Sequence, residues 1–166
     1  MFWILLFSFG GFFASGQSVG EVSSLKAAFI YNFTKYIDWD LSNTNEFTIG
    51  VLGSSSIYNS LLEISKTKTV NDKRIVILHF NKPEEITNCN ILFISANSSH
   101  SLTPILAKVN KGTLTISEEA GLAEEGTAFN FVVINDKLKF EANVKSINAA
   151  GLKASSQLLK LAIIVD

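Results

Sequence analysis

Cysteine, proline and arginine are scarce in this chain, and each scarcity removes a class of explanation. Cys89 is the only cysteine, so no intramolecular disulfide can form. Beside the apolar run Ile91-Leu92-Phe93-Ile94 it reads as a small buried hydrophobe. Two prolines, Pro83 and Pro104, leave no proline-rich linker. The single arginine is Arg74. Fourteen basic against fifteen acidic residues are scattered without a basic stripe, which excludes the usual footprint of a nucleic-acid binder. Histidine is confined to His79 and His100, neither in a ligand-spaced pair, and no G-x-S-x-G elbow surrounds a serine. The sequence therefore offers no catalytic constellation, no metal set and no cofactor motif.

Apolar residues are abundant instead, at 47% of 166 positions, enough for one globular domain. Their first concentration, Phe2 to Phe13, is followed by Ala14-Ser15-Gly16. That run is short for a membrane span of roughly 20 residues and ends in an A-x-A-like pattern. We read residues 1–16 as a signal peptide cleaved before Gln17, which makes 17–166 a single exported domain and the localisation periplasmic.

Beyond it, helix and strand patterns alternate. Helices are expected near Ser23 to Ile37, Ser56 to Ser65 and Ser101 to Asn110, with a long closing helix from about Asn143 to Val165. Strands are expected at Phe47 to Gly53, Arg74 to Phe80, Asn90 to Ser95 and Thr113 to Ile116. Pro83-Glu84-Glu85 and Ser117-Glu118-Glu119 read as helical turns. Asn135-Asp136 marks a hairpin between Ala128 to Ile134 and Lys137 to Ala142. The pattern predicts an α/β three-layer sandwich: a mixed, mostly parallel sheet with a C-terminal β-hairpin and helices on both faces.

Two stretches invite functional readings. Gly53-Ser54-Ser55-Ser56 follows a strand and opens a helix, which fits either a serine-capped turn or a loop binding a small anion or metabolite. The second is K-A-A-F-I-Y-N-F-T-K-Y-I-D-W-D, Lys26 to Asp40. At 100° per residue, Leu25, Phe29, Phe33, Tyr36 and Ile37 form one stripe expected to face the sheet. Ala27, Tyr31, Thr34, Lys35 and Asp38 fall opposite. Asn32 lies inside the apolar arc, where a buried amide would need a hydrogen-bond partner. Tyr31, Lys35 and Trp39 remain as the residues able to meet a partner.

The same stretch resembles the opening signature of the YfiR family through Lys26-Ala27-x-Phe29-Ile30-Tyr31-Asn32-Phe33-x-Lys35-Tyr36-Ile37-x-Trp39. Lys137-Leu138-Lys139-Phe140-Glu141-x-Asn143 resembles its penultimate strand, and Ala150-Gly151-Leu152-Lys153 through Leu158-Leu159-Lys160-Leu161-Ala162 its closing helix. The resemblance implies a non-enzymatic, dimer-forming periplasmic regulator. Its partner would be the sensor part of an inner-membrane signalling protein, a diguanylate cyclase or sensor kinase, and its output cyclic-di-GMP signalling and biofilm. Cys89 alone excludes the disulfide control known in that family, and Asp40 stands where the family usually has proline.

Overall fold

The computed structural model describes residues 18–166. The signal peptide expected at 1–16, with cleavage before Gln17, lies outside the described residues.

Helix α1, Val19–Phe33, begins four residues earlier than its apolar periodicity suggests. The reason is a capping box: Ser18 Oγ accepts from the Glu21 amide at 3.3 Å, and Glu21 Oε2 accepts from the Ser18 amide at 2.9 Å. The helix stops at Phe33 rather than continuing to Ile37. Thr34 Oγ1 donates to the Tyr31 carbonyl at 2.6 Å, and Ile37–Asp38 (β1) leaves to pair with a distant strand. Four strands follow with their connections: β2 (Glu46–Leu52), α2 (Ile57–Ser65), β3 (Thr69–Val70), β4 (Lys73–Phe80), a 3-10 turn at Pro83–Glu85 and β5 (Ile91–Ile94). After a 3-10 segment at Ala96–Ser101, α3 covers only Leu102–Leu106, half the expected length. Then come β6 (Leu114–Ser117), β7 (Phe129–Ile134) and β8 (Lys137–Asn143). The helical turn expected at Ser117-Glu118-Glu119 is instead the end of β6 running into irregular turns.

The closing helix is the largest correction. In its place stand α4 (Val144–Ala149), β9 (Lys153–Ala154), α5 (Ser156–Leu159) and β10 (Ile163–Val165). Gly151 explains the break. It takes φ +75° and completes a Schellman cap: its own amide donates to Asn148 O at 2.9 Å, and the Leu152 amide to Ile147 O at 3.1 Å.

Eight strands form the main sheet in the order β10-β8-β7-β6-β5-β2-β4-β3, parallel except at β7–β8 and β3–β4. Both antiparallel turns are Asn-Asp, and all four turn residues have positive φ: Asn71 46°, Asp72 63°, Asn135 50°, Asp136 59°. Alternation on the central strands supplies a core on each face. Phe47, Ile49, Ile91, Phe93 and Phe129 face α1 and α2, whereas Leu52, Leu92 and Ile94 face Leu102 and Ile105 of α3. Helices on both faces of a mixed, mostly parallel sheet make the three-layer α/β sandwich that the sequence predicts.

α1 is rotated relative to the expected stripe. Ala27 and Ile30 are fully buried and Phe33 is 1% exposed, whereas Leu25 is 38% exposed. The helix packs against α2 as well as the sheet, and Ser23 and Ser56 hydrogen-bond across that contact through their hydroxyls. Small residues at Ser23 and Ala27 let the two helices approach. Asn32, expected inside the apolar arc, is exposed, and its Oδ1 accepts from Lys35 Nζ at 2.9 Å.

Candidate partner-binding surface

The aromatic run divides between core and surface. Phe33 sits in a ring cluster, 4.8 Å from the Phe129 centroid and 4.9 Å from that of Phe140. Phe29 caps this cluster edge-on, 6.0 Å from Phe131 and 6.2 Å from Phe140. The first and second family-like blocks are therefore joined by aromatic packing on the face that α1 covers.

Its last residues join the third block. β1 pairs antiparallel with β9, Ile37 opposite Ala154 and Asp38 opposite Lys153, and the Ser155 amide donates to the Tyr36 carbonyl at 2.8 Å. Ile37 and Leu158 point into the core, while Asp38 and Lys153 stay exposed. Along this two-stranded ribbon lies an open depression of about 350 Å³, bounded by Lys35, Tyr36, Asp38, Lys153 and Ser155. No local pattern marks the ribbon, because two strands of two residues carry no periodic signal.

The three residues picked out as able to meet a partner end in different places. Lys35 is exposed at the rim of the depression, its ammonium 4.7 Å over the Tyr31 ring. Tyr31 leans away toward β3, its hydroxyl donating to Thr69 O at 3.3 Å. Trp39 turns inward: its indole N–H donates to Thr34 O at 2.9 Å, and its ring meets Phe47 edge-on at 5.0 Å. Only Lys35 of the three lies on the ribbon's depression.

The Gly53-Ser54-Ser55-Ser56 loop occupies the opposite end of the sheet, where β2 lies between β4 and β5 and the strand order reverses. Ligands of open α/β sheets sit at such a crevice. Here several polar groups of the loop are spent on protein partners, while Ser54 and Ser56 stay exposed. Gly53, at φ +84°, donates its amide to Phe80 O at 2.8 Å, and His79 Nε2 lies 2.9 Å from Gly53 O. Ser55 Oγ accepts from the Ile57 amide at 3.3 Å, and Ser54 O accepts from Asn97 Nδ2 at 3.2 Å. A Cβ at Gly53 would collide with the hydroxyls of Ser95 and Ser98. Glu118 ties this rim together, accepting from the Ala96 amide at 3.1 Å and from Lys26 Nζ at 2.7 Å.

Behind β6 and β7 lies a buried polar network that hydropathy reading passes over. Ser117 Oγ lies 2.7 Å from Thr127 Oγ1 and donates to Asn130 Oδ1 at 2.8 Å. Asn130 Nδ2 donates to Glu141 Oε2, and Asn143 Nδ2 to the Ala123 carbonyl at 2.8 Å. These bonds satisfy polar side chains on strands whose other face is core, and fix the hairpin against the 118–128 connection. Cys89 is buried too, and burial pushes its thiol up to about 11, so it carries no reactive thiolate near neutral pH. Among the described residues no cluster of His, Cys, Asp or Glu is placed to hold a metal ion, and no helix is long and apolar enough to cross a membrane.

No curated protein sequence matches the chain. Among solved structures, a conserved domain protein from Vibrio cholerae O1 biovar El Tor str. N16961 shares the fold, with a TM-score of 0.56 and 11% identity over 87% of this chain. The chain spans 60% of that solved chain. A family model described as YfiR/HmsC-like matches residues 23–163, from the first turns of α1 into β10 and across all three blocks. The chain belongs to the YfiR/HmsC-like family.

Proposed function

We propose that this chain is a periplasmic, non-enzymatic regulator that binds the sensor part of an inner-membrane signalling protein. A diguanylate cyclase is the partner class the family suggests, with cyclic-di-GMP synthesis as the output it restrains. The observation that carries the reading is the β1–β9 ribbon. It brings the end of the aromatic run and the start of the closing block onto one exposed surface, bounded by Lys35, Asp38 and Lys153. Charged groups at an exposed rim set orientation and encounter rate in protein association more than affinity. Tyr36 and Ala154, half-buried beneath them, supply apolar area for a partner to cover. Restraint requires only that the regulator bind the inactive form of the sensor more tightly than the active one. A photo-reactive residue placed at Lys153 tests this reading, because a partner seated on the ribbon forms an adduct with it.

A further inference from the structure

The two edges of the main sheet are finished differently. β3 is two residues long, lies between exposed Lys68 and Asn71, and spends its Thr69 carbonyl on the Tyr31 hydroxyl at 3.3 Å. Shortness and polarity of this kind keep a sheet edge from pairing with another chain. β10 forms the other edge, parallel to β8, with Ile163 opposite Glu141, Ile164 opposite Ala142 and Val165 opposite Asn143. Its outer side has no strand beside it among the described residues.

This second edge carries neither charge nor proline. Leu161-Ala162-Ile163-Ile164-Val165 is apolar throughout, and Leu161 and Ile164 are 72% and 51% exposed. Solvent satisfies the free backbone groups of such an edge but not its exposed apolar side chains, so the segment is a template for a further strand.

The charges at the two ends of the segment select what covers it. Lys160 precedes it and Asp166 follows it, both exposed and neither in an ion pair among the described residues. A second copy of the segment laid antiparallel brings each Asp166 toward the other copy's Lys160. A parallel copy sets like charge beside like. Centred on Ile164, the antiparallel register places that residue opposite its own counterpart, on the sheet face that α1 covers. Ile163 then meets Val165 twice on the other face. Such a contact is isologous and closes on one two-fold axis. Assembly stops at two copies, because only the blunted β3 edges remain free.

We propose that β10 pairs antiparallel with β10 of a second copy of this chain, joining the two eight-stranded sheets into one. With three residues per strand the ladder is short, so the dimer is a reversible one of micromolar strength.

The proposal does not rest on the ribbon or its partner. Sedimentation velocity of the mature chain over a concentration series tests it, and a monomer–dimer equilibrium is expected. Ile164→Lys and Ile164→Glu each set like charges across the axis, and each should weaken the dimer about tenfold or more with circular dichroism unchanged. An equimolar mixture of the two should restore it, because opposite charges then face each other. Val133→Lys, at an exposed apolar position on the β7–β8 hairpin, should dimerise as the parent does. The proposal is overturned if the parent stays monomeric up to about 100 µM, if Ile164→Lys dimerises as the parent does, or if the mixed variants stay monomeric. With a monomeric parent, loss of a crosslink from position 153 in cells carrying Ile164→Lys would assign the edge to a strand of the membrane partner instead.

Discussion

Phe33 is the residue on which the seating of α1 depends most. It is 1% exposed and its ring meets four others, so Phe33→Ala removes a full aromatic side chain from a closed site. Such truncations cost about 3–5 kcal/mol, the transfer loss plus the cavity left behind. With a urea slope of about 2 kcal/mol/M, a loss near 4 kcal/mol lowers the unfolding midpoint by about 2 M. Two companions sharpen the test, because they separate the observed helix face from the one periodicity predicts. Ala27 is fully buried, so Ala27→Leu overpacks the site and should lower the midpoint by about 1 M, from a cost of about 2 kcal/mol. Leu25 is 38% exposed, so Leu25→Ala should shift it by less than about 0.5 M. Equilibrium urea unfolding by tryptophan fluorescence reads all three, with Trp39 against Phe47 as the reporter. The reasoning is refuted if Leu25→Ala costs as much as Phe33→Ala while Ala27→Leu is neutral, because α1 would then present the other stripe.

Two further outcomes rest on single residues. Gly151 sits at φ +75° with open space where a Cβ would go, so Gly151→Ala should cost about 1–2 kcal/mol through backbone strain alone, read as a lower urea midpoint, and Gly151→Asn less. Burial pushes the Cys89 thiol up to about 11 from its ordinary 9.0, so the unfolded chain ionises first as pH rises. Fewer protons on the unfolded state mean that stability is full below pH 9.0 and falls between there and about 11, by about 2–3 kcal/mol. Cys89→Ala should lack that part of the alkaline slope in the same unfolding assay.

The central strands and their helices were legible because burial on both faces leaves continuous apolar runs, as in Ile91–Ile94, and because Asn135-Asp136 takes the positive φ that a tight hairpin demands. The same dipeptide at Asn71-Asp72 carried the same information, but the strand before it, Thr69–Val70, is too short to show a pattern. The face of α1 was misread for a definite reason. A single stripe assumes a single neighbour, and α1 has two, so Ala27 and Ser23 are buried against α2 although neither is strongly apolar. The closing segment was misread because leucines continue past Gly151 at helical spacing, although glycine at that point is itself a stop signal. The ribbon and the hydrogen bond from the Thr48 amide to Asn90 Oδ1 depend on contacts between positions more than forty residues apart, which local patterning does not encode.

Photo-crosslinking in cells from position 153 tests the proposed function most directly, with position 108 on the other face of the sheet as the control. The account predicts an adduct with an integral-membrane signalling protein from 153 and none from 108, lost when Lys35 and Asp38 are both reversed in charge. Equal adducts from both positions, or none from 153 while 108 captures the signalling protein, would contradict it.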